Sequence, residues 1–290
     1  MKQLVVGVDG SSEAEGALRW AIDVAKPLHA DLVAVSAWTP QQAELPPEEW
    51  QAEHLSRSES LQATIGAAPS DSEIRAEVVD GAPTDVLLDQ SELQQADLLV
   101  VGIRGTGQTA GLRVGSVTET IGRRASRPFV VVPNVSSRRM RRILLGVDAS
   151  PGARAAASWC AGFASALDVE VTAVSVSCQT FALVPEQHSM RVRQYLQRAL
   201  DDDWIAPLRN AGVSVDTELL DDAAARMMSR LQRSHYVAAS LVNAATRADA
   251  QMIVVGARRL APPTRRRLGG VAMRLLHTTP IPLAVVPSDN

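Results

Sequence analysis

The residues whose types and spacing could do chemistry gather in one region: Gly102-Ile103-Arg104-Gly105-Thr106-Gly107, then Gly115-Ser116-Val117-Thr118, with nine residues between Gly105 and Gly115. The chemistry this suits is the binding of a phosphate ester. Glycine at 102 and 105 lets the backbone approach a sugar-phosphate with no Cβ in the way and permits positive φ. Successive loop N–H groups can form a concave anion site. Gly115-Ser116 would open a helix whose unpaired N–H groups and dipole favour phosphate, with the Ser116 and Thr118 hydroxyls as further donors. A plain turn would account for Gly102 and Gly105, but not for Gly115-Ser116 so far downstream.

Bond-making chemistry has little support. No Walker-type Lys-Ser/Thr pair and no general base accompany the loop, so any nucleotide hydrolysis would be slow. Ser11 and Ser150 lie outside any Gly-x-Ser-x-Gly elbow and read as helix caps. His29, His54, His188, His235 and His277 are scattered. Cys160 and Cys178 form no Cys-x-x-Cys and read as reduced, partly buried thiols rather than a disulfide or a zinc site.

A phosphate loop needs a buried strand before it and a helix after it. The apolar run Leu98–Val101 suits a parallel strand covered on both faces. Such strands alternate with amphipathic stretches along the chain, at 3–8, 31–37, 74–79, 97–102 and 129–132, and again at 142–147, 169–176, 213–220, 251–256 and 283–286. The first helix follows Asp9-Gly10-Ser11-Ser12, with Ala14, Ala17, Leu18, Ala21, Ile22 and Ala25 on one face and Glu13 and Glu15 at the positive dipole end. Thr39–Pro47, with three prolines, reads as an exposed loop before a polar helix near 47–66. Regular β-α alternation implies doubly wound parallel sheets with right-handed crossovers.

The pattern occurs twice. Leu4–Ser11 (LVVGVDGS) returns as Ile143–Ser150 (ILLGVDAS), an offset of 139, whereas Leu98–Gly102 (LLVVG) matches Met252–Gly256 (MIVVG) at 154. The second copy therefore carries about 15 extra residues, most simply within Asp221–Tyr236. Two domains follow, 1–137 and 138–290. In the second, Arg259 stands where the second glycine belongs and Gly269-Gly270 lacks the hydroxyl, while Asp148 is kept and Ala149 replaces the following glycine. An arginine there would crowd a phosphate path, so the first domain carries an intact phosphate loop and the second a degenerate one.

Composition sets outer limits. With 290 residues, 46% hydrophobic and 21% charged, the chain is globular and long enough for two cores. No apolar run reaches the ~20 residues of a membrane helix, and the N-terminal apolar run is too short for a signal peptide; a cytoplasmic protein without a membrane partner is expected. Residues 1–137 hold 10 Lys/Arg against 19 Asp/Glu, a balance of −9, and residues 138–290 hold 19 against 13, a balance of +6. That asymmetry fits either mutual attraction of the halves or an anionic partner for the basic half. Arg258, Arg259, Arg265, Arg266 and Arg267 concentrate the second option in one loop, read as solvated or as an anion-gathering fork.

Gly102-x2-Gly105-x9-Gly115-Ser116, with Val-Gly-Val-Asp near the start and Pro-Phe-Val-Val-Val-Pro near the end of the first copy, resembles the universal stress protein family, in its tandem two-domain type. The resemblance covers essentially the whole chain. It implies an adenine nucleotide alpha hydrolase-like fold with five strands in order 3-2-1-4-5 in each domain, ATP binding, and dimeric or pseudo-dimeric packing through the last strands. Position by position, it implies Asp9 against the ribose or adenine with Gly10 beside it, and Ala37 lining the adenine pocket. Gly102, Gly105, Gly115 and Ser116 would hold ribose and phosphates, with Val117 and Thr118 adjoining. Asp9 as a mere helix N-cap is the competing reading. The expected role is regulatory or stress-responsive rather than enzymatic, with an adenine nucleotide, optionally carrying Mg, as ligand, a homodimer as a further option and nucleic acid disfavoured. Two alternatives stand beside it: a scaffold engaging an anionic partner through the Arg-rich loop, and a slow nucleotide hydrolase. The latter would need a Ser-Gly-Gly-type pyrophosphate loop after the first strand, which Asp9-Gly10-Ser11-Ser12 does not supply.

Overall fold

Runs of Leu and Val with no polar alternation cannot leave a face wet, and in the computed structural model they form the central strands of two units, Met1–Ser137 and Arg138–Asn290. The structure describes residues 1–39, 47–68, 73–106, 114–133, 139–177, 186–221, 229–257 and 268–288. Cys178, most of the Thr39–Pro47 loop and the arginines of 258–267 lie outside these.

The first unit runs β1 (Gln3–Gly7), α1 (Ser12–Leu28), β2 (Asp31–Trp38), α2 (Pro47–Ala67), β3 (Ile74–Asp80), α3 (Pro83–Leu93), β4 (Leu98–Gly102), α4 (Ser116–Arg124) and β5 (Phe129–Val132). Its strands are parallel in the order β3-β2-β1-β4-β5, with Val5 opposite Val33 on one side and Leu99 on the other. The winding therefore reverses between β1 and β4, where open parallel sheets leave a crevice at their carboxyl ends. Leu4, Val5, Val6, Leu98 and Val100 are wholly buried.

The second unit repeats the plan with β6 (Arg142–Gly146), α5 (Pro151–Leu167), β7 (Glu170–Ser177), α6 (Glu186–Arg198), α7 (Ala206–Asn210), β8 (Val215–Asp221), α8 (Arg230–Arg247), β9 (Met252–Ala257), α9 (Gly270–Thr278) and β10 (Leu283–Pro287). Its order is β8-β7-β6-β9-β10, with Val254 between Leu145 and Ala284. The strand expected from 213 begins at Val215, because the Val213 amide closes α7 onto the Leu208 carbonyl. Seven residues of this copy's extra length enter as helix, since α8 has 18 residues where α3 has 11, and a capping box between Ser229 and Gln232 opens it. Cys160, expected to be partly buried, is fully buried, and burial pushes its thiol up to about 12.

Local chemistry fixes the ends of the key elements in both units. Ser11 and Ser150 cap α1 and α5, each hydroxyl accepting an amide three residues on, Ala14 N or Ala153 N, at 3.2 Å. The first strand of each unit is held at its start by one side chain: Asp97 Oδ2 accepts from the Lys2 and Gln3 amides at 2.5 and 3.2 Å. Gln251 Oε1 does the same for Arg141 and Arg142, at 2.8 and 3.0 Å.

The central strand after the crossover lies against the first turn of the opening helix. A Cβ on Gly102 would stand 2.8 Å from the Glu13 carbonyl carbon, and one on Gly256 would stand 2.1 Å from the Gly152 carbonyl oxygen. Neither contact can yield without moving backbone, so both glycines are packing requirements. We expect Gly256→Ala to destabilise the second unit by about 1–3 kcal/mol, and Gly102→Ala to cost the first unit less. Urea denaturation followed by tryptophan fluorescence, in single-unit tryptophan variants, checks the order of the two.

Candidate functional site

Three pieces of chain converge where β1 and β4 end. The β1–α1 turn brings Asp9, the β4–α4 connection brings Gly102–Thr106, and α4 brings its N-terminus. Gly10 sits in this turn at φ 82°, left-handed backbone that a Cβ would strain.

Asp9 ties the pieces together. Its Oδ1 accepts from the Ser11 amide at 3.0 Å and the Ser11 hydroxyl at 2.6 Å. Its Oδ2 accepts from the Thr106 amide at 2.8 Å and lies 3.5 Å from the Thr106 hydroxyl. Asp9 is thus not the cap of α1; it orients Ser11, which is. Gly105 is explained by the same span, since a Cβ there would lie 2.2 Å from Asp9 Oδ2.

The connection beyond Gly102 is pinned on both sides. The Ile103 amide donates to the Val132 carbonyl at 3.0 Å, and the Gly115 amide donates to the Ile103 carbonyl at 2.8 Å. A Cβ on Gly115 would come within 3.2 Å of Arg104 Cα, so the two ends of the loop meet at their backbones. Thr118 is buried, and its hydroxyl donates to the Gly102 carbonyl at 2.8 Å. The sequence suggested this hydroxyl as a phosphate donor; its proton instead holds α4 to the end of β4. Ser116, exposed, is the first residue of α4, whose N-cap is Gly115 and carries no side-chain cap bond. Ser116, its hydroxyl and the half-buried Val117 accordingly lie at an anion-favouring helix start that no side chain is seen to cap among the described residues.

Ala37 lies at this same end of the sheet. The Val8 amide donates to the Val35 carbonyl at 2.8 Å, and Ala37 follows two residues later, opposite Val79 of β3. The next residue, Trp38, is buried edge-on against Trp50 of α2 with ring centroids 4.8 Å apart, with His54 at 5.9 Å. Sequence reasoning missed this aromatic wall, although Trp38 adjoins Ala37. It also missed Thr106 as the partner of Asp9 and the ion pair of Arg104 with Glu13, 3.6 Å apart. Nothing in residue type alone signals either contact.

The second unit keeps the base of this arrangement. Asp148 Oδ1 accepts from the Ser150 amide at 2.9 Å, as Asp9 does from Ser11. The start of α9 differs: a Cβ on Gly270 would meet Ser234 Oγ at 2.5 Å, and Arg274 approaches His235 at 3.3 Å. Ser234 and His235 belong to the lengthened first turns of α8. Inserted helix therefore leans on the very end that α4 leaves open in the first unit. Among the described residues no group of three or more His, Cys, Asp or Glu side chains converges, and no helix is long and apolar enough to cross a membrane.

The sequence profile described as the Universal stress protein family matches residues 1–133 and again 140–287. A universal stress protein of Mycobacterium tuberculosis (strain ATCC 25618 / H37Rv) is 37% identical over 132 residues, which is 44% of this chain and 44% of that relative, so the match spans less than half its length. A second universal stress protein of that strain is 27% identical over 301 residues, covering 97% of this chain and 96% of the relative. Among solved structures, a universal stress protein from Archaeoglobus fulgidus DSM 4304 superposes with a TM-score of 0.66 over 98% of both chains at 16% identity, a likeness of fold.

The Asp9 span makes a local prediction. In Gly105→Ala the new methyl displaces Asp9 Oδ2 and breaks its bond to the Thr106 amide. Exchange of the Thr106 amide hydrogen, read by NMR, should then accelerate about tenfold, the loss of roughly 1.4 kcal/mol. Unchanged protection would mean the carboxylate does not hold that amide.

Proposed function

Because the chain belongs to the universal stress protein family, we propose that it is an ATP-binding member with a regulatory or stress-response role, taking its nucleotide in the first unit. The observation that carries this is the convergence of Asp9, the Gly102–Thr106 connection and the open N-terminus of α4 at the crevice where the winding reverses.

In this reading the phosphates lie at the start of α4, against the amides of Ser116 and Val117 and the Ser116 hydroxyl, with the backbone of Gly105 and Gly115 alongside. Gly102 and Thr118 hold that loop in place from beneath. Asp9 faces the ribose and shares it with the backbone at Gly10. Ala37 contributes the small surface beside which adenine stacks. A divalent cation such as Mg2+ would arrive with the nucleotide, held by its phosphates. The site supplies binding and orientation rather than a base or nucleophile, which favours a sensor over a catalyst.

The second unit is proposed to take no nucleotide with comparable affinity, since Gly270 sits under Ser234 and Arg259 replaces a loop glycine. One adenine nucleotide per chain is therefore expected. Mass spectrometry of nucleotide released from purified, denatured protein identifies it, and calorimetric titration of the stripped protein counts it; two equivalent sites would defeat the assignment.

Gly105→Asp adds a side chain against Asp9 and a negative charge beside the phosphates. It should weaken ATP at least tenfold, about 1.4 kcal/mol, while far-UV circular dichroism stays the same. Undiminished affinity would place the nucleotide elsewhere.

A further inference from the structure

The residue between the loop glycines, Arg104, is engaged by a carboxylate that lies almost out of solvent. Glu13 Oε1 stands 3.6 Å from Arg104 Nε, and the Glu13 side chain is only 6% exposed against 42% for Arg104. The Ser12 hydroxyl donates to the other Glu13 oxygen, Oε2, at 2.8 Å. The Glu13 backbone is also the surface against which Gly102 packs. A buried negative charge thus sits directly beneath the connection that leads to the phosphate end of the site. It lies in the first turn of α1, where the helix dipole supports a carboxylate, and its other neutralising partner is a loop arginine.

We propose that the Glu13–Arg104 pair sets the phosphate-number preference of the first unit, by cancelling the loop arginine's charge where the nucleotide tail lies. The inference rests on the nucleotide reading given above. With the pair intact, Glu13 offsets the charge of Arg104, so Arg104 adds little to discrimination among mono-, di- and triphosphates. Removing the Glu13 charge would favour each added phosphate charge, because a charge within about 10 Å acts on all of them inside one Debye length. The second copy has the same arginine position at Arg258 but glycine, Gly152, in place of Glu13, so it has no carboxylate at that position.

The test is a charge cycle of Glu13→Gln, Arg104→Gln and the double variant, each titrated with ATP, ADP and AMP at low and high salt. Glutamine keeps the shape of Glu13 and still accepts from Ser12, and melting temperatures report whether each variant is folded. AMP carries about two negative charges and ATP about four, so Glu13→Gln should tighten AMP about threefold and ATP about tenfold. Arg104→Gln should weaken them in the same graded order, the double variant should return close to wild type, and salt should shrink both effects. Wild-type protein that binds ATP while neither single change alters the ATP-to-AMP ratio overturns this inference and leaves the nucleotide reading standing. An equal, salt-independent loss for all three nucleotides in Glu13→Gln also overturns it, since that is what a purely structural role would give. Wild-type protein that binds none of the three removes the nucleotide reading itself, and this inference with it.

Discussion

The two oxygens of Asp9 reach in different directions, one to the amide and hydroxyl of Ser11 and the other to the amide of Thr106, 97 residues away. Much of the first unit's upper end follows from that span. Because Oδ1 is committed to Ser11, the Ser11 hydroxyl is oriented to cap α1. Because Oδ2 passes over Gly105, that residue cannot carry a Cβ, and the β4–α4 connection must pass close to the β1–α1 turn. One carboxylate that accepts from both turns holds their positions together, so one side chain fixes two loops. The carboxyl-end face of the first unit is thereby organised by its own hydrogen bonds.

Beneath that face lies a second constraint, shared by both units. The opening helix packs so closely on the strand across the switch point that glycine is required at 102 and 256. This explains why the second copy keeps this glycine although arginine replaces the second loop glycine and glycine replaces the serine. Its survival there reflects packing, and its presence in the first copy is no evidence for a ligand by itself. The second copy has arginine in place of Gly105 and glycine in place of the hydroxyl at 116.

Divergence between the copies is concentrated at the carboxyl ends of the strands and spares the sheets. Strand order is the same in each, and the side chains at 97 and 251 clamp the first strand in the same way although one is a carboxylate and the other an amide. Two adjacent amide donors need only one well-placed carbonyl-type oxygen, which either residue supplies. The longer α8, by contrast, brings Ser234 onto the first residue of α9. A change in one crossover helix has altered the helix start that would receive a phosphate.

The sequence by itself determined the strands, their parallel pairing and the duplication, because continuous apolar runs of Leu and Val have few ways to escape water and the repeat of Leu4–Ser11 at Ile143–Ser150 is direct. It also located the glycine pattern that follows β4, since glycine spacing after a strand is a local property. It could not give the contacts of those residues: Gly102 lies against α1, Gly105 against Asp9, and the Thr118 hydroxyl donates to the Gly102 carbonyl. Nor could it pair Arg104 with Glu13 or Thr106 with Asp9. Those partners are distant in sequence, and only the right-handed crossover that returns the chain from β3 to β4 beside β1 brings them within hydrogen-bonding reach.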